Sequence, residues 1–361
     1  MHFKALLGII KLEDFGLISV TRGTPLKSVE IEELKRIFDS EDEMELRETL
    51  KRAGNLGLKF FGRKIHFYAP SFMYYKTSYY QASNVNFPTI SVTGNSCALR
   101  CKHCGGKVLE TMYPATTPEK LYNLCVQLKK KGGLGCLISG GCLPDGSVPL
   151  GRFADAMEKI KKELGMTVHV HTGLIDSQTA EKLREAGVDA ALIDIIGSDD
   201  TIREIYKLNA KVEAYENSLK ALHEAGIATV PHVIVGLHYG KLRGELRALE
   251  AISKYPPSAL VIIAFMPIHG TEMEDIEPPK PVEIAKVITI ARLMFPKTPL
   301  SLGCMRPKGE HRVETDILAI KAGVNAIAFP TEEAIKFAEK EGYEISFSPL
   351  CCSQIYKDVN L

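Results

Sequence analysis

The sequence has almost no net charge and no long apolar run, and each absence argues against a class of function. Forty-five lysines and arginines stand against forty-four aspartates and glutamates, which leaves a formal net charge of +1. This balance provides no strong field for nucleic acid or for an anionic membrane. The N-terminal run MHFKALLGIIKL is too short to span a bilayer, and no small-residue cleavage site follows it. We therefore expect a cytoplasmic protein that acts on a small molecule or a folded partner, not on nucleic acid or a membrane.

A disulfide framework and a paired zinc motif are also missing. The nine cysteines are an odd number, and residues 1–96 contain none of them. In a long chain without a secretion signal, this usage favours metal-binding or catalytic thiols. The one CxxC, at Cys101 and Cys104, has no second pair, which makes structural zinc a weaker alternative. Cys125 and Cys136 lie in apolar segments, where we expect small buried side chains.

The fold class follows from alternating patterns after residue 87, where no Rossmann GxGxxG motif appears. Eight short apolar runs alternate with amphipathic stretches of helical period; the runs are TISVTG, GCLISG, TVHVHTG, AALIDI, TVPHVIVG, ALVIIAF, PLSLG and NAIAFP. This predicts an α/β chain with a (β/α)8 TIM-type barrel over residues 87–345. A helical extension, residues 1–86, would precede the barrel, and a short tail, residues 346–361, would follow it. Functional residues are then expected just after each strand.

Three cysteines follow the first barrel strand in the stretch GNSCALRCKHCGG. They are Cys97, Cys101 and Cys104, and together they form a CxxxCxxC motif. Four thiolates would close a tetrahedral zinc site or fill a cubane iron–sulfur cluster, whereas three leave one metal position open. The motif therefore predicts a metal cluster that binds another molecule.

With this motif after its first strand, the sequence resembles the radical S-adenosylmethionine (SAM) superfamily. The resemblance implies that Cys97, Cys101 and Cys104 are the catalytic ligands of a [4Fe-4S] cluster. The fourth iron of such a cluster chelates the amino and carboxylate groups of SAM. One-electron reduction then releases a 5′-deoxyadenosyl radical, which abstracts hydrogen from an unactivated carbon.

The same resemblance implies a set of SAM contacts. His103 comes before the last cysteine of the motif, and Gly140 and Gly141 follow the second strand. Asp194 is the polar residue that ends the fourth strand, and Arg203 is a nearby arginine for the methionine carboxylate. The fifth-strand segment at the adenine contains Ile234, Val235 and Gly236. The family's usual aromatic residue is here a histidine, and its Glu after the glycines is here Cys142. Asp194 and Arg203 have ordinary surface roles as the alternative.

Four further cysteines suggest a second metal site. Cys142 and Cys304 follow the second and seventh strands, while Cys351 and Cys352 lie on the tail. If the tail folds across the catalytic face, three or four of these thiolates meet and hold an auxiliary [4Fe-4S] cluster. We expect only one of the adjacent tail pair to be a direct ligand. Isolated thiols are the alternative.

The segment GCMRPKGEHRVETDILAIKAGVNAIAFP resembles the biotin-synthase branch of the superfamily. Within it, FFGRKIHFYAPSFMYY, LISGGC with DGSVPL, and SPLCC are most similar to one component of a two-protein lipoyl synthase. This resemblance implies sulfur insertion into an octanoyl chain on a lipoyl carrier domain, with the auxiliary cluster as sulfur donor. A paralogous radical SAM component and an electron donor such as ferredoxin or flavodoxin would be its other partners.

Two alternatives remain open. A radical mutase or hydrogenase-maturase-like enzyme would act on a small amino acid and would not need Cys304, Cys351 or Cys352. A non-enzymatic iron–sulfur or zinc protein would form no 5′-deoxyadenosine. Biotin synthase itself is disfavoured because the third and fifth barrel strands carry no cysteine.

Overall fold

The computed structural model describes residues 28–359. The run MHFKALLGIIKL and the rest of the first 27 residues of the predicted extension lie outside the described residues. Within residues 28–359, no helix combines the length and the apolar character needed to cross a membrane.

The centre of the fold is one sheet in which every paired neighbour is parallel. Its strands are β1 (Lys64–Tyr68), β2 (Thr89–Ser91), β3 (Tyr113–Pro114), β4 (Gly135–Ser139), β5 (Thr167–His171), β6 (Ala190–Asp194), β7 (Thr229–Val235), β8 (Leu260–Ala264), β9 (Leu300–Leu302), β10 (Ala326–Ala328) and β11 (Glu344–Ser348). The order across the sheet is β11-β1-β10-β9-β8-β7-β6-β5-β4-β2-β3. The eight predicted runs are β2 and β4 to β10, neighbours in chain order, and the α/β TIM-type fold class is confirmed.

Helices connect these strands and cover the outside of the sheet, except for the last, which follows the final strand. They are α1 (Ser28–Asp39), α2 (Glu43–Phe61), α3 (Pro118–Lys130), α4 (Ala154–Leu164), α5 (Ser177–Glu185), α6 (Asp199–Glu204), α7 (Val212–Glu224), α8 (Glu245–Ser253), α9 (Pro281–Met294), α10 (Glu310–Lys321), α11 (Glu332–Lys340) and α12 (Ile355–Asp358). Residues at the amino-terminal end of a helix favour its start. In α3, the Thr117 side chain accepts a hydrogen bond from the Lys120 amide, and Pro118 occupies the first turn.

Both flanking segments take part in the sheet. β1 comes from the predicted N-terminal extension and pairs with β10, so that Tyr68 lies opposite Ala328. β11, at the start of the tail, pairs with the other side of β1. The residues after β1 are tied to those before β2, because the Phe87 amide donates to Ser71 Oγ at 2.8 Å. The domain boundaries that the sequence suggests therefore stay predictions.

The tail docks inside the barrel, and this corrects the expected position. Cys351, Cys352 and Ile355 are buried in the cluster of inward-facing residues that includes Ala190 of β6. Tyr356 Oη donates at 2.7 Å to the carbonyl of Asp189, the residue just before β6. The tail thus contacts the amino-terminal end of β6 and does not fold across the carboxyl ends of the strands, because the apolar residues find space among small inward side chains.

The N-terminal helices are held by a close backbone contact. An added Cβ on Gly54 of α2 would lie 2.3 Å from the Lys321 carbonyl oxygen, and one on Gly57 would lie 2.9 Å from that of Gly323. Such distances are tolerated only without a side chain. The two glycines therefore let α2 approach the end of α10.

We expect Gly54→Ala to lower the free energy of unfolding by about 1–3 kcal/mol, because the added methyl group overpacks this contact. Alanine otherwise favours a helix over glycine, so intrinsic propensity would act in the opposite direction. Urea titration measures the change. Gly151→Ala is the control, since a Cβ there would meet Thr179 at an ordinary 3.5 Å. A Gly54→Ala protein as stable as the wild type would contradict the contact.

Candidate metal and cofactor site

The three-cysteine loop begins directly after β2. Left-handed backbone at Gly105 and Gly106 turns the chain, with φ of 55° and 81°. The Gly105 amide donates to the Cys101 carbonyl at 2.7 Å. As a result, the side-chain ligand atoms of Cys101, His103 and Cys104 all lie within 4.8 Å of one another. The turn of this loop thereby brings the three side chains together as one group of potential metal ligands.

The thiols of Cys101 and Cys104 have pKa values that are shifted in opposite directions. A hydrogen bond from Cys101 lowers the pKa of Cys104 against the opposing effect of burial, and His103 lowers it further. The same hydrogen bond and burial raise the pKa of Cys101, with a further contribution from the charge of Cys97. The loop therefore presents one thiolate to a cation before any metal arrives.

The donor set fits an iron–sulfur cluster with one open position. Three thiols are the ligands that such clusters use. Cys97 and Cys104 are half-buried and Cys101 is buried, which shields the site without sealing it. Beside them His103 Nδ1 is buried and has no hydrogen-bond partner within residues 28–359. Cys97, Cys101 and Cys104 could hold the cluster, and SAM would take the remaining iron.

The predicted glycine pair lies directly against this loop. A Cβ on Gly141 would be 2.1 Å from the Ser96 carbonyl oxygen and 2.6 Å from Cys97 Cβ. The Gly141 amide donates to Thr93 Oγ1 at 2.7 Å. Gly140 is similarly close, with its added Cβ 3.0 Å from Thr93 Oγ1. Only glycine at position 141 leaves the cysteine loop where it is.

Cys142 lies beside the first three cysteines, and its predicted place in a second metal site stays a prediction. Its carbonyl accepts from the Ala98 amide at 2.8 Å. Burial raises the pKa of Cys142 to about 12, followed by the charges of Cys97 and Asp194. The physical reason is the close approach of Gly141 to Ser96 and Cys97, which brings the next residue, Cys142, onto the cysteine loop.

Tyr206 was not predicted from the sequence, yet it contacts the loop. The Lys102 amide donates to the Ile205 carbonyl at 2.8 Å, and Cys101 Sγ lies 3.7 Å from the Tyr206 carbonyl oxygen. The rings of His103 and Tyr206 lie 5.3 Å apart. The segment DDTIREIYKLN held this residue, but nothing in its pattern distinguishes it from a core aromatic.

Arg203 is not brought to the thiols in the same way. Its side chain is 64% exposed and pairs with Asp200 at 2.6 Å and Glu204 at 3.2 Å. The carboxylate contact implied for Arg203 would require it to leave these partners, and it stays a prediction.

Asp194 forms a polar group with two histidines that spacing along the chain does not reveal. His171 Nε2 lies 3.3 Å from Asp194 Oδ1, and His232 is the cross-strand partner of Asp194. All three ligand atoms lie within 4.8 Å of one another. Burial lowers the pKa of His232 to about 4, so its ring is neutral. β5, β6 and β7 each supply one residue, which is why no HxxxH spacing exists.

The predicted adenine segment ends β7. Ile234 is half-buried and Val235 is buried. Gly236 has a φ of 72°, and a Cβ there would be 2.6 Å from Pro279. Its amide donates at 2.9 Å to Glu245, a buried carboxyl whose pKa burial raises to about 7. The end of β7 is therefore fixed by a titratable group that the sequence analysis missed.

A second set of thiols lies inside the barrel. Cys304, after β9, packs against the cluster that contains Cys351 and Cys352. Ser301 Oγ donates to the Cys352 carbonyl at 3.3 Å. A hydrogen bond from Cys352 lowers the pKa of Cys351 against burial, and His169 lowers it further. Cys351 is therefore the more acidic thiol of the tail pair. Cys125 and Cys136 are fully buried, as predicted.

Comparison with known protein families matches most of the barrel. Residues 91–241 match the model described as Radical SAM superfamily, and residues 262–346 match the one described as Biotin and Thiamin Synthesis associated domain. A biotin synthase of Zymomonas mobilis subsp. mobilis is 28% identical over 66% of this chain and 72% of that protein. A biotin synthase of Acidithiobacillus ferrooxidans is 29% identical over 48% of this chain, and the match spans 54% of that relative.

Solved structures share the fold. The crystal structure of methylornithine synthase superimposes with a TM-score of 0.62 at 18% identity, covering 93% of this chain and 97% of that one. A maturase of the [FeFe]-hydrogenase superimposes with a TM-score of 0.62 at 17% identity, covering 91% of this chain and 76% of that one. At these identities the similarity establishes the fold alone.

We expect Gly141→Ala to abolish metal binding by the three-cysteine loop, because the added methyl group overlaps Ser96 and Cys97. After anaerobic reconstitution, its iron content should equal that of the Cys97→Ala/Cys101→Ala/Cys104→Ala variant. Gly151→Ala should retain the wild-type iron content. Wild-type iron in Gly141→Ala would show that the loop does not need this close approach.

We expect wild-type stability to fall relative to Glu245→Gln as pH rises from 4.5 to about 7. The pKa of Glu245 rises from 4.5 to about 7 on folding, so the folded state binds the extra proton in this window. At about 1.4 kcal/mol per pKa unit, the shift corresponds to about 3 kcal/mol. Thermal unfolding of both proteins at pH 5 and pH 8 measures the difference. A difference in stability between the two proteins that is the same at pH 5 and pH 8 would contradict the raised pKa of Glu245.

Proposed function

We propose that this chain, which belongs to the radical SAM superfamily and to its biotin-synthase-like branch, is a sulfurtransferase for a protein-bound octanoyl chain. It would insert sulfur into an unactivated C–H bond of that chain as one component of a two-protein lipoyl synthase. A paralogous radical SAM component would insert the other sulfur. The carrier would be an octanoylated lipoyl domain, and ferredoxin or flavodoxin would supply electrons.

The first cluster would be held by Cys97, Cys101 and Cys104. When bound, this group supplies the electron that cleaves SAM and so creates the radical needed for hydrogen abstraction. The chain's own part is to position the cosubstrate. The glycine pair ending β4 leaves its backbone free for close approach, and the polar residue Asp194 offers a carboxylate to the ribose hydroxyls.

The observation that carries the proposal is the second group of thiols inside the barrel. Sulfur insertion needs a sulfur source, whereas a mutase does not. The tail pair is buried among apolar residues such as Val261 and Ala328, and the half-buried Cys304 packs against this cluster. A sacrificial iron–sulfur cluster held there would have the protected environment that its sulfide requires. This grouping supports sulfur transfer over other radical reactions.

The similarity to biotin synthases does not by itself supply this second site. β5 and β7 of this chain carry no cysteine. The donors in the barrel come instead from the residue after β9 and from the tail. We therefore propose a substrate other than that of biotin synthase.

A second candidate function has one observation in its favour. The group of His171, Asp194 and His232 is polar, partly exposed and lines the end of the barrel strands. Such a group suits a small charged substrate better than an alkyl chain. A radical mutase or maturase acting on a small amino acid is therefore the alternative.

Single cysteine variants separate these functions. With SAM and reductant under anaerobic conditions, the wild type should produce 5′-deoxyadenosine and a thiolated octanoyl-carrier peptide, which mass spectrometry detects. Cys304→Ala and Cys351→Ala should retain 5′-deoxyadenosine and lose the thiolated peptide, because only the sulfur source is removed. Cys125→Ala, outside both thiol groups, should retain both products.

Full thiolated product from Cys304→Ala would eliminate the second thiol group as the sulfur source. Turnover of a small amino acid that is indifferent to Cys304 and Cys351 would establish the second candidate. If the wild type forms no 5′-deoxyadenosine, the chain is a non-enzymatic iron–sulfur or zinc protein.

A further inference from the structure

The second thiol group has too few donors for a cubane cluster, and this inference rests on the proposed function. A [4Fe-4S] cluster takes four protein ligands when no cosubstrate fills a position. Cys142 lies with the first cysteines, so Cys304, Cys351 and Cys352 remain. Since adjacent cysteines rarely both bind one cluster, Cys304 and one tail cysteine supply two ligands, and at least two further donors are needed.

One ring nitrogen of His169 in β5 is available as a further donor. Its side chain is fully buried, and its Nε2 has no hydrogen-bond partner within residues 28–359. A buried polar atom without a partner costs about 1–3 kcal/mol, so an unpaired imidazole nitrogen indicates a missing ligand.

The tail itself orients this ring. His169 Nδ1 lies 2.9 Å from Ser353 Oγ, and Ser353 is fully buried. Ser353 stands two residues after Cys351 in a short 3-10 helix, Cys352–Gln354. One turn of chain therefore positions both a thiol and an imidazole. Holding Nδ1 through a hydroxyl leaves Nε2 to face a metal, as second-shell partners do for histidine ligands.

The other inward histidines lie at a different level of the barrel. His171 is engaged by Asp194 at 3.3 Å, and its ring lies against that of His232 at 5.7 Å. His169 lies two residues before His171, nearer the amino-terminal end of β5, and pairs with Ala190 of β6. Ala190 belongs to the buried cluster that contains Cys351 and Cys352. The charge of Cys351 also reaches His171 and His232, but His169 is the histidine that a tail side chain, Ser353, contacts directly.

We propose that His169 supplies one of these missing donors and binds the second iron–sulfur cluster through Nε2, alongside Cys351 and Cys304. The ligand set is then a mixed set of thiolates and imidazole. Compared with a further thiolate, a neutral imidazole lowers the negative charge of the buried site.

The test isolates the second cluster. The full-length Cys97→Ala/Cys101→Ala/Cys104→Ala variant is reconstituted with iron and sulfide, reduced, and studied by electron–nuclear hyperfine spectroscopy. Half of the material carries 15N-labelled histidine. We expect about four irons per chain and a strongly coupled nitrogen that changes with the label. This measurement leaves His169 itself unaltered, so it does not depend on the folding of a His169 variant.

Two variants in the same background assign the nitrogen. His169→Cys should retain the iron and lose the nitrogen coupling, because a thiolate replaces the imidazole. His171→Gln is the matched control and should retain both.

The failures are distinguishable. Four irons without a strongly coupled histidine nitrogen would overturn the role of His169 and leave the proposed function standing. Coupling that survives in His169→Cys would assign the ligand to another histidine and overturn the inference. No iron in the triple variant would remove the second cluster, and with it both the inference and the sulfur-donor proposal.

Discussion

The arrangement of the barrel interior depends on one half-buried carboxylate, Asp189, which lies just before β6. It binds Lys161 of α4 at 2.6 Å, the Val168 amide at 2.8 Å and Lys357 of the tail at 3.0 Å. Burial would raise the pKa of Asp189, but the hydrogen bond from Lys161 and the others lower it overall, so it stays ionised. Asp189 therefore links α4, β5, β6 and the tail through direct contacts. These contacts hold the tail, with its thiols, inside the barrel.

Two groups of thiols then lie at two levels of the same barrel. The first stands at the carboxyl end of β2, where loops are free to wrap a cosubstrate. The second is buried among inward side chains of β6, β8 and β10. His171 and Asp194, at the ends of β5 and β6, lie in the same strands as the residues that contact the tail. Under the proposed function, a substrate chain would lie between the two levels, with the radical formed at the first group and sulfur donated from the second.

The family comparison and the structure answer different questions. The match to the radical SAM superfamily covers residues 91–241, which contain the cysteine loop, the glycine pair and Asp194. It does not reach Cys351, which lies beyond the second matched segment, residues 262–346. The chemistry that separates one member of the branch from another therefore rests on residues that only this chain's own packing can explain, Cys351 and Ser353 among them.

Local patterns were enough for much of the site. The eight strands appear as short apolar runs, and the three cysteines of CxxxCxxC lie within one loop. Both patterns involve residues close together in the chain, so both can be recognised in the sequence. The position of the tail was misjudged because it depends on partners far along the chain. The space left by small inward residues such as Ala190 decides it, and the approach of Gly141 to the cysteine loop decides where Cys142 lies. Contacts of this kind arise from strand register and side-chain packing, which no spacing in the sequence records.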